Sequence, residues 1–272
     1  MRAALLYRVL PIFCVFLGAT GCGGSSAARK DLVSSVPSNV TVPPLLLKNQ
    51  TQVLVDLLDR EISQSSGGRA KRLRFFKSIS SATVEATLQI QLERAKLFEF
   101  KDAQKNQSKI PTKLMEDFKN ISARYRSKDL DSLFARVDVI PLDLLFAQAA
   151  IESGSGTSAV AKNCNNLFGV HAATPAQACP GHPILTYYPD FRGSIQRYAL
   201  LLNSGSAFKD FRVKRRDLRA SVGEKGFLVS DSLVGGLRAY SERGDSYLRD
   251  VKSMIQSDRL DELNQDFFQR VL

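Results

Sequence analysis

Residues 144–156 read Leu144-Leu145-Phe146-Ala147-Gln148-Ala149-Ala150-Ile151-Glu152-Ser153-Gly154-Ser155-Gly156. The run before the acid is apolar nearly all round, the pattern of a helix buried on every side. Pro141 suits its first turn, where a missing N–H is no loss. Gly154 and Gly156 can take positive φ and stop it. The stretch therefore predicts a central helix over Pro141 to Ile151 that ends on a carboxylic acid. Burial disfavours the charge of such an acid, and the negative end of the helix dipole repels it. Glycoside cleavage needs a carboxyl that keeps its proton near neutral pH, because the leaving oxygen must be protonated as the bond breaks. The plain alternative is a solvated carboxylate at a helix end.

Helical patterns flank this segment. Val53, Val55, Leu57 and Leu58 begin a short helix from Thr51, and Ser65 to Gly68 interrupt it. From Arg69 to about Asn106, apolar residues recur mostly every three to four positions, a long amphipathic helix. Pro111 to Tyr125 and Leu130 to Val137 add two more. Beyond Gly156 come a loop-rich stretch to about Pro183 and a short hairpin around Ile184 to Tyr188. Helices follow over Phe191 to Leu202, with Asp190 as N-cap, Asp231 to Tyr240 and Ser246 to Ile255. The expected class is mainly α (α+β), with a small β or loop lobe.

The first residues set the compartment. Arg2 and Arg8, the apolar Val9 to Leu17, and Gly18-Ala19-Thr20-Gly21-Cys22 form an export signal whose apolar part is too short for a comfortable membrane span. Ala19-Thr20-Gly21-Cys22 resembles a bacterial lipobox, with Cys22 lipidated, and Gly23 after it resembles the outer-membrane sorting pattern. Release of a free protein after cleavage is the alternative. Gly23 to Lys48, rich in Ser, Pro, Val and Asn, suits a tether. The expected divisions are a signal over 1–21, a tether over 22–48, an N-terminal helical region over 49–130 and a catalytic domain over 131–272.

The 272 residues are 44% hydrophobic with a formal net charge of +11, which excludes a wholly disordered chain. The charge calls for an anionic partner. Arg69, Lys71, Arg72, Arg74 and Lys77 form one basic run, and Arg212, Lys214, Arg215, Arg216 and Arg219 another; both read as solvated helix faces. An envelope protein would set them against peptide-stem carboxylates or lipid headgroups rather than nucleic acid. No Walker loop, dinucleotide fingerprint or His-Glu-x-x-His motif occurs, so no cofactor is expected.

Ala149-Ala150-Ile151-Glu152-Ser153-Gly154-Ser155-Gly156-Thr157-Ser158, followed by Asn165-Asn166-Leu167-Phe168-Gly169, resembles the signature of the peptidoglycan glucosaminidases of glycoside hydrolase family 73, nearest the bacterial Bax-type proteins. Arg136 to Pro141, Ser194 to Tyr198, Tyr240-Ser241-Glu242-Arg243-Gly244 and Tyr247 fit the same pattern. The resemblance implies a lysozyme-like helical fold whose groove binds glycan strands and cuts the β-1,4 bond after N-acetylglucosamine. It places Glu152 on the general acid and Tyr240 on a groove tyrosine. Asn165 and Asn166 would hold backbone or an acetamido group, Phe168 would pack beneath the site, and Tyr188 would meet substrate.

Two departures stand out. Ser155 replaces a usual Trp. Residues 153–189 contain no Asp or Glu, and Ile184 stands about where a second carboxylate is expected. A two-acid mechanism then lacks a member. This leaves acetamido assistance, a water held by Tyr240, or no catalysis. A non-catalytic wall-binding protein and a lytic transglycosylase are therefore the rival readings.

With Cys14 removed and Cys22 lipidated, Cys164 and Cys179 remain as an even pair in an oxidising compartment, expected to form a disulfide. Closing that loop stabilises the fold by about 3 kcal/mol in the chain-entropy model. Zinc held by Cys164, His171, Cys179 and His182 is the alternative, at a spacing that matches no common zinc pattern.

Overall fold

The central helix runs Leu142–Ser153 (α5), and ten of its twelve residues are buried. Pro141 precedes it and Gly154, at φ 58°, caps it in the left-handed region. Gly156 lies at φ 74°, where a Cβ would come within 2.8 Å of the Phe75 ring. The Ser153 hydroxyl donates to the Ala149 carbonyl and accepts from the Gly156 N–H, so the turn after Glu152 is tied back onto its helix.

A computed structural model describes residues 38–271. The export signal and Cys22 lie outside these residues. Before α5 come α1 (Pro44–Ser63), α2 (Gly67–Lys105), α3 (Thr112–Tyr125) and α4 (Leu130–Arg136). After it come α6 (Ala159–Cys164), β1 (Ala178–Cys179) and β2 (His182–Thr186). The chain ends with α7 (Phe191–Ser204), α8 (Lys209–Val222), α9 (Asp231–Val234), α10 (Asp245–Asp258) and α11 (Leu260–Val271). The fold is mainly α with a small β lobe, of lysozyme-like plan.

The 39-residue α2 is the bed on which α5 rests, with Phe76 stacked on Phe146 at 4.6 Å between ring centroids. One apolar core takes in Leu54, Leu57 and Leu58 of α1, the buried face of α2, nearly all of α5, and Leu260, Leu263 and Phe267 of α11. The hairpin is antiparallel, Ala178 facing Thr186 and Cys179 facing His182, and a further bridge joins His171 to Leu185.

Several expectations need correction. Helix α1 begins at Pro44, inside the stretch assigned to the tether, because Pro44 can open a helix and Leu47 packs on the core. The hairpin lies earlier than Ile184 to Tyr188, with β1 on the cysteine loop. Helices α6, α11 and the full length of α8 are present beyond the segments expected from the sequence. The segment Gly235–Tyr240 is 3₁₀ rather than α.

The second basic run is a solvated face only at Lys214 and Arg216. Arg215 is fully buried, and its guanidinium donates to the carbonyls of Ala135, Arg136, Asp138 and Val139. Arg219 grips both Asp138 oxygens at 2.9 Å, and Arg212 donates to the carbonyls of Leu202 and Gly205. Burial alone would raise the Asp138 pKa, but the Arg219 hydrogen bonds and the charges of Arg215, Arg219 and Arg94 outweigh it and hold the carboxylate below its usual range. In the first run, Arg69 pairs with Glu61, Arg72 with the buried Asp258, and Lys77 with Asp59.

Candidate active site

Glu152 sits in the last turn of α5, half-buried, with Oε1 buried and lacking a hydrogen-bond partner. Burial pushes its pKa up to about 7 from 4.5; the Tyr247 hydroxyl and the Arg243 charge pull the other way without offsetting it. Tyr247 stands close enough to favour the carboxylate yet outside strict hydrogen-bond geometry with it. Among the described residues, no carboxylate figures among the groups that shift Glu152.

Three buried polar side chains lie behind the acid. The Tyr198 hydroxyl of α7 donates to Gln148 Oε1 at 2.5 Å, and Gln148 Nε2 donates to the Tyr247 oxygen at 2.8 Å. Gln148 precedes Glu152 by one helical turn, so the two side chains share a face of α5. Burial, with the nearby Glu152, keeps both phenols well above the usual tyrosine pKa. Phe168 stacks on Tyr198 at 4.0 Å and Tyr240 stacks on Tyr247 at 5.6 Å. An aromatic block thus fixes both phenols.

The structure separates the other residues singled out from the sequence. Tyr240 is buried in that block, and its hydroxyl donates to the Phe168 carbonyl at 3.2 Å. Phe168 packs beneath the acid's supporting tyrosines. Asn165, at φ 51°, ends α6 and donates to the carbonyls of Tyr188 and Pro189. Asn166 donates to the carbonyls of Val170 and Thr186 and accepts from the Val170 N–H. Both asparagines therefore hold backbone, clamping the loop to the β lobe.

Tyr188 is buried against Gly193, and its hydroxyl has no hydrogen-bond partner. Burial pushes its pKa up to about 12, with the Arg197 charge and Thr186 opposing. It lines a cleft of about 440 Å³ with Gln89, Gln196 and Arg197, apart from Gln148, Glu152 and Tyr247. A larger apolar cavity of about 530 Å³, between α2, the 224–228 loop and α11, also does not contain Glu152.

Cys164 and Cys179 are bridged by a disulfide with Cα atoms 5.6 Å apart, joining α6 to β1. The bridge consumes both thiols, so the zinc alternative loses its sulfur ligands. His171 instead belongs to the bridge with Leu185. Ile184 projects from β2 into solvent, 44% exposed. Asp190 accepts from the Gly193 N–H at 3.1 Å as the N-cap of α7.

Gln148 and Tyr198 were not singled out from the sequence as members of the site. The available signal was an amide inside an otherwise apolar helix, one turn before an acid. Buried polar groups need partners, so a Gln there implies a local network.

A model of the family described as mannosyl-glycoprotein endo-beta-N-acetylglucosaminidase, the glucosaminidase domain, matches residues 127–260. Protein bax of Escherichia coli (strain K12) is 30% identical over 151 residues, covering 52% of this chain and 54% of that protein. The chain thus spans about half the length of this relative. No solved structure matches.

Proposed function

Residues 127–260 form a glucosaminidase-family domain, and from that premise we propose that the chain hydrolyses β-1,4 linkages of peptidoglycan glycan strands as an endo-β-N-acetylglucosaminidase. The observation that carries this reading is Glu152, a carboxyl pushed up to about 7 by burial at the end of the central helix. At neutral pH about half of such a group holds a proton. It donates that proton to the glycosidic oxygen as the bond to the anomeric carbon breaks. The Arg243 charge and the Tyr247 hydroxyl steady the carboxylate left behind.

The other half of the reaction needs a nucleophile. With no acid between residues 153 and 189, the substrate's own acetamido oxygen supplies it. That oxygen attacks the anomeric carbon as the leaving sugar takes the Glu152 proton. Water then opens the cyclic intermediate, returning a proton to Glu152 and leaving a reducing N-acetylglucosamine end.

The proposed setting is the bacterial envelope, with Cys22 carrying the lipid anchor. Metabolic labelling with palmitate tests this: label on the unmodified chain and none on Cys22→Ala supports the anchor.

The activity is tested by incubating the mature protein and its Glu152→Gln form with purified peptidoglycan and weighing the soluble products. Reducing N-acetylglucosamine ends from the unmodified protein alone support the hydrolase. Anhydro-muramyl ends, lighter by one water, assign a lytic transglycosylase instead. Wall pelleting without cleavage, unchanged by the substitution, assigns a binding protein.

A further inference from the structure

We propose that Gln148 and Tyr198 are positioning residues that aim the Tyr247 hydroxyl proton at Glu152. The inference rests on the reading of Glu152 as the acid and adds the groups that set its surroundings.

Tyr198 donates to Gln148 Oε1. In this arrangement the amide oxygen faces Tyr198 and its nitrogen faces Tyr247. The nitrogen then donates to the Tyr247 oxygen. A hydroxyl carries one proton and can accept on its lone pairs. Having accepted from Gln148, Tyr247 must send its own proton elsewhere, and the acceptor beside it is Glu152, whose Oε1 has no partner.

Gln148, Tyr198 and Tyr247 are each 0% exposed, so bulk solvent does not reach these positions. Stacking of Phe168 on Tyr198 and of Tyr240 on Tyr247 holds the rings in register. The opposite amide orientation would place Gln148 Oε1 on Tyr247 and draw its proton away. Glu152 would then face a lone pair. The chain therefore has a direction, and every donor in it points toward the acid. Its effect is to favour the carboxylate that forms when the proton leaves, which keeps a buried acid from becoming too weak to give that proton up.

The test is an NMR titration of Glu152 in the full chain labelled with ¹³C at glutamate carboxyls, with Glu152→Gln to assign the signal. Tyr247→Phe and Tyr198→Phe each remove one oxygen and leave the stacked ring, and Gln148→Met supplies a third variant with no amide. Loss of the Tyr247 donor is expected to raise the Glu152 midpoint by about one pH unit. Tyr198→Phe and Gln148→Met are expected to raise it less, since they release the aim of the hydroxyl without removing it. A purely structural role would lower the melting temperature and leave the midpoint in place. Unchanged midpoints in all three variants overturn the proposal, as does a shift in Tyr247→Phe with none in the other two. Because the titration needs no cleavage, its failure is distinguishable from failure of the hydrolase reading.

Discussion

Burial of Glu152 works against stability at neutral pH and favours its protonated form. Its folded pKa of about 7 lies above the ordinary 4.5, so the folded state binds more protons than the unfolded one between those values. The associated stability is fully present below about pH 4.5 and is lost as pH rises through about 7. Glu152→Gln removes this dependence. The melting temperature of Glu152→Gln is therefore expected to gain on the unmodified protein from pH 4.5 to 7 and to hold a constant lead above that. Asp143, also pushed up to about 7 by burial, is present in both proteins and cancels in the comparison. A flat difference across this range would mean that Glu152 titrates as an ordinary solvated acid.

At the scale of elements, two ties hold the site's surroundings, and each can be cut. The disulfide joins α6 to β1 and braces the loop whose asparagines grip the β lobe. Reducing it, or making Cys164→Ala with Cys179→Ala, is expected to cost about 3 kcal/mol in a denaturant melt. Faster hydrogen exchange should accompany the loss at Thr186, whose N–H donates to the Val170 carbonyl, and at Val170, whose N–H donates to Asn166 Oδ1. The second tie is Asp138, between the loop before α5 and the arginines of α8. Asp138→Ala leaves the buried Arg215 and the gripped Arg219 without their carboxylate. Its expected cost is about 3–5 kcal/mol, read from the same melts. A cost below 1 kcal/mol would show that the backbone carbonyls satisfy Arg215 by themselves.

The whole molecule shows which signals a sequence carries. Periodicity and punctuation were enough for α2, α3, α5 and α7, because Pro141, Gly154 and Asp190 mark boundaries by backbone chemistry that needs no partner. The α8 face misled because its arginines look solvated in one dimension. Only the folded chain brings Asp138 and eight backbone carbonyls within reach of Arg212, Arg215 and Arg219. Helix α11 is set by packing against α1 and α5, which no local pattern announces, and the early start of α1 combines Pro44 in its first turn with the packing of Leu47 on the core. At the site, the acid was legible from its place at the end of an apolar helix. Its supporting chain was not, since Gln148, Tyr198 and Tyr247 lie on three helices and only the fold joins them. Tyr188, expected to meet substrate, is buried in the fold and lines a different cleft.

A Glu152 that donates the proton in glycan cleavage must titrate together with the activity, and two pH curves measured side by side test this. The release of reducing ends from peptidoglycan is measured as kcat/KM across pH, beside the carboxyl titration of Glu152. The account predicts that activity falls on the alkaline side with a midpoint near pH 7 that coincides with the Glu152 titration, and that both move together in Tyr247→Phe. Activity that rises through pH 7, or a limb that stays in place while the Glu152 titration shifts, would contradict it.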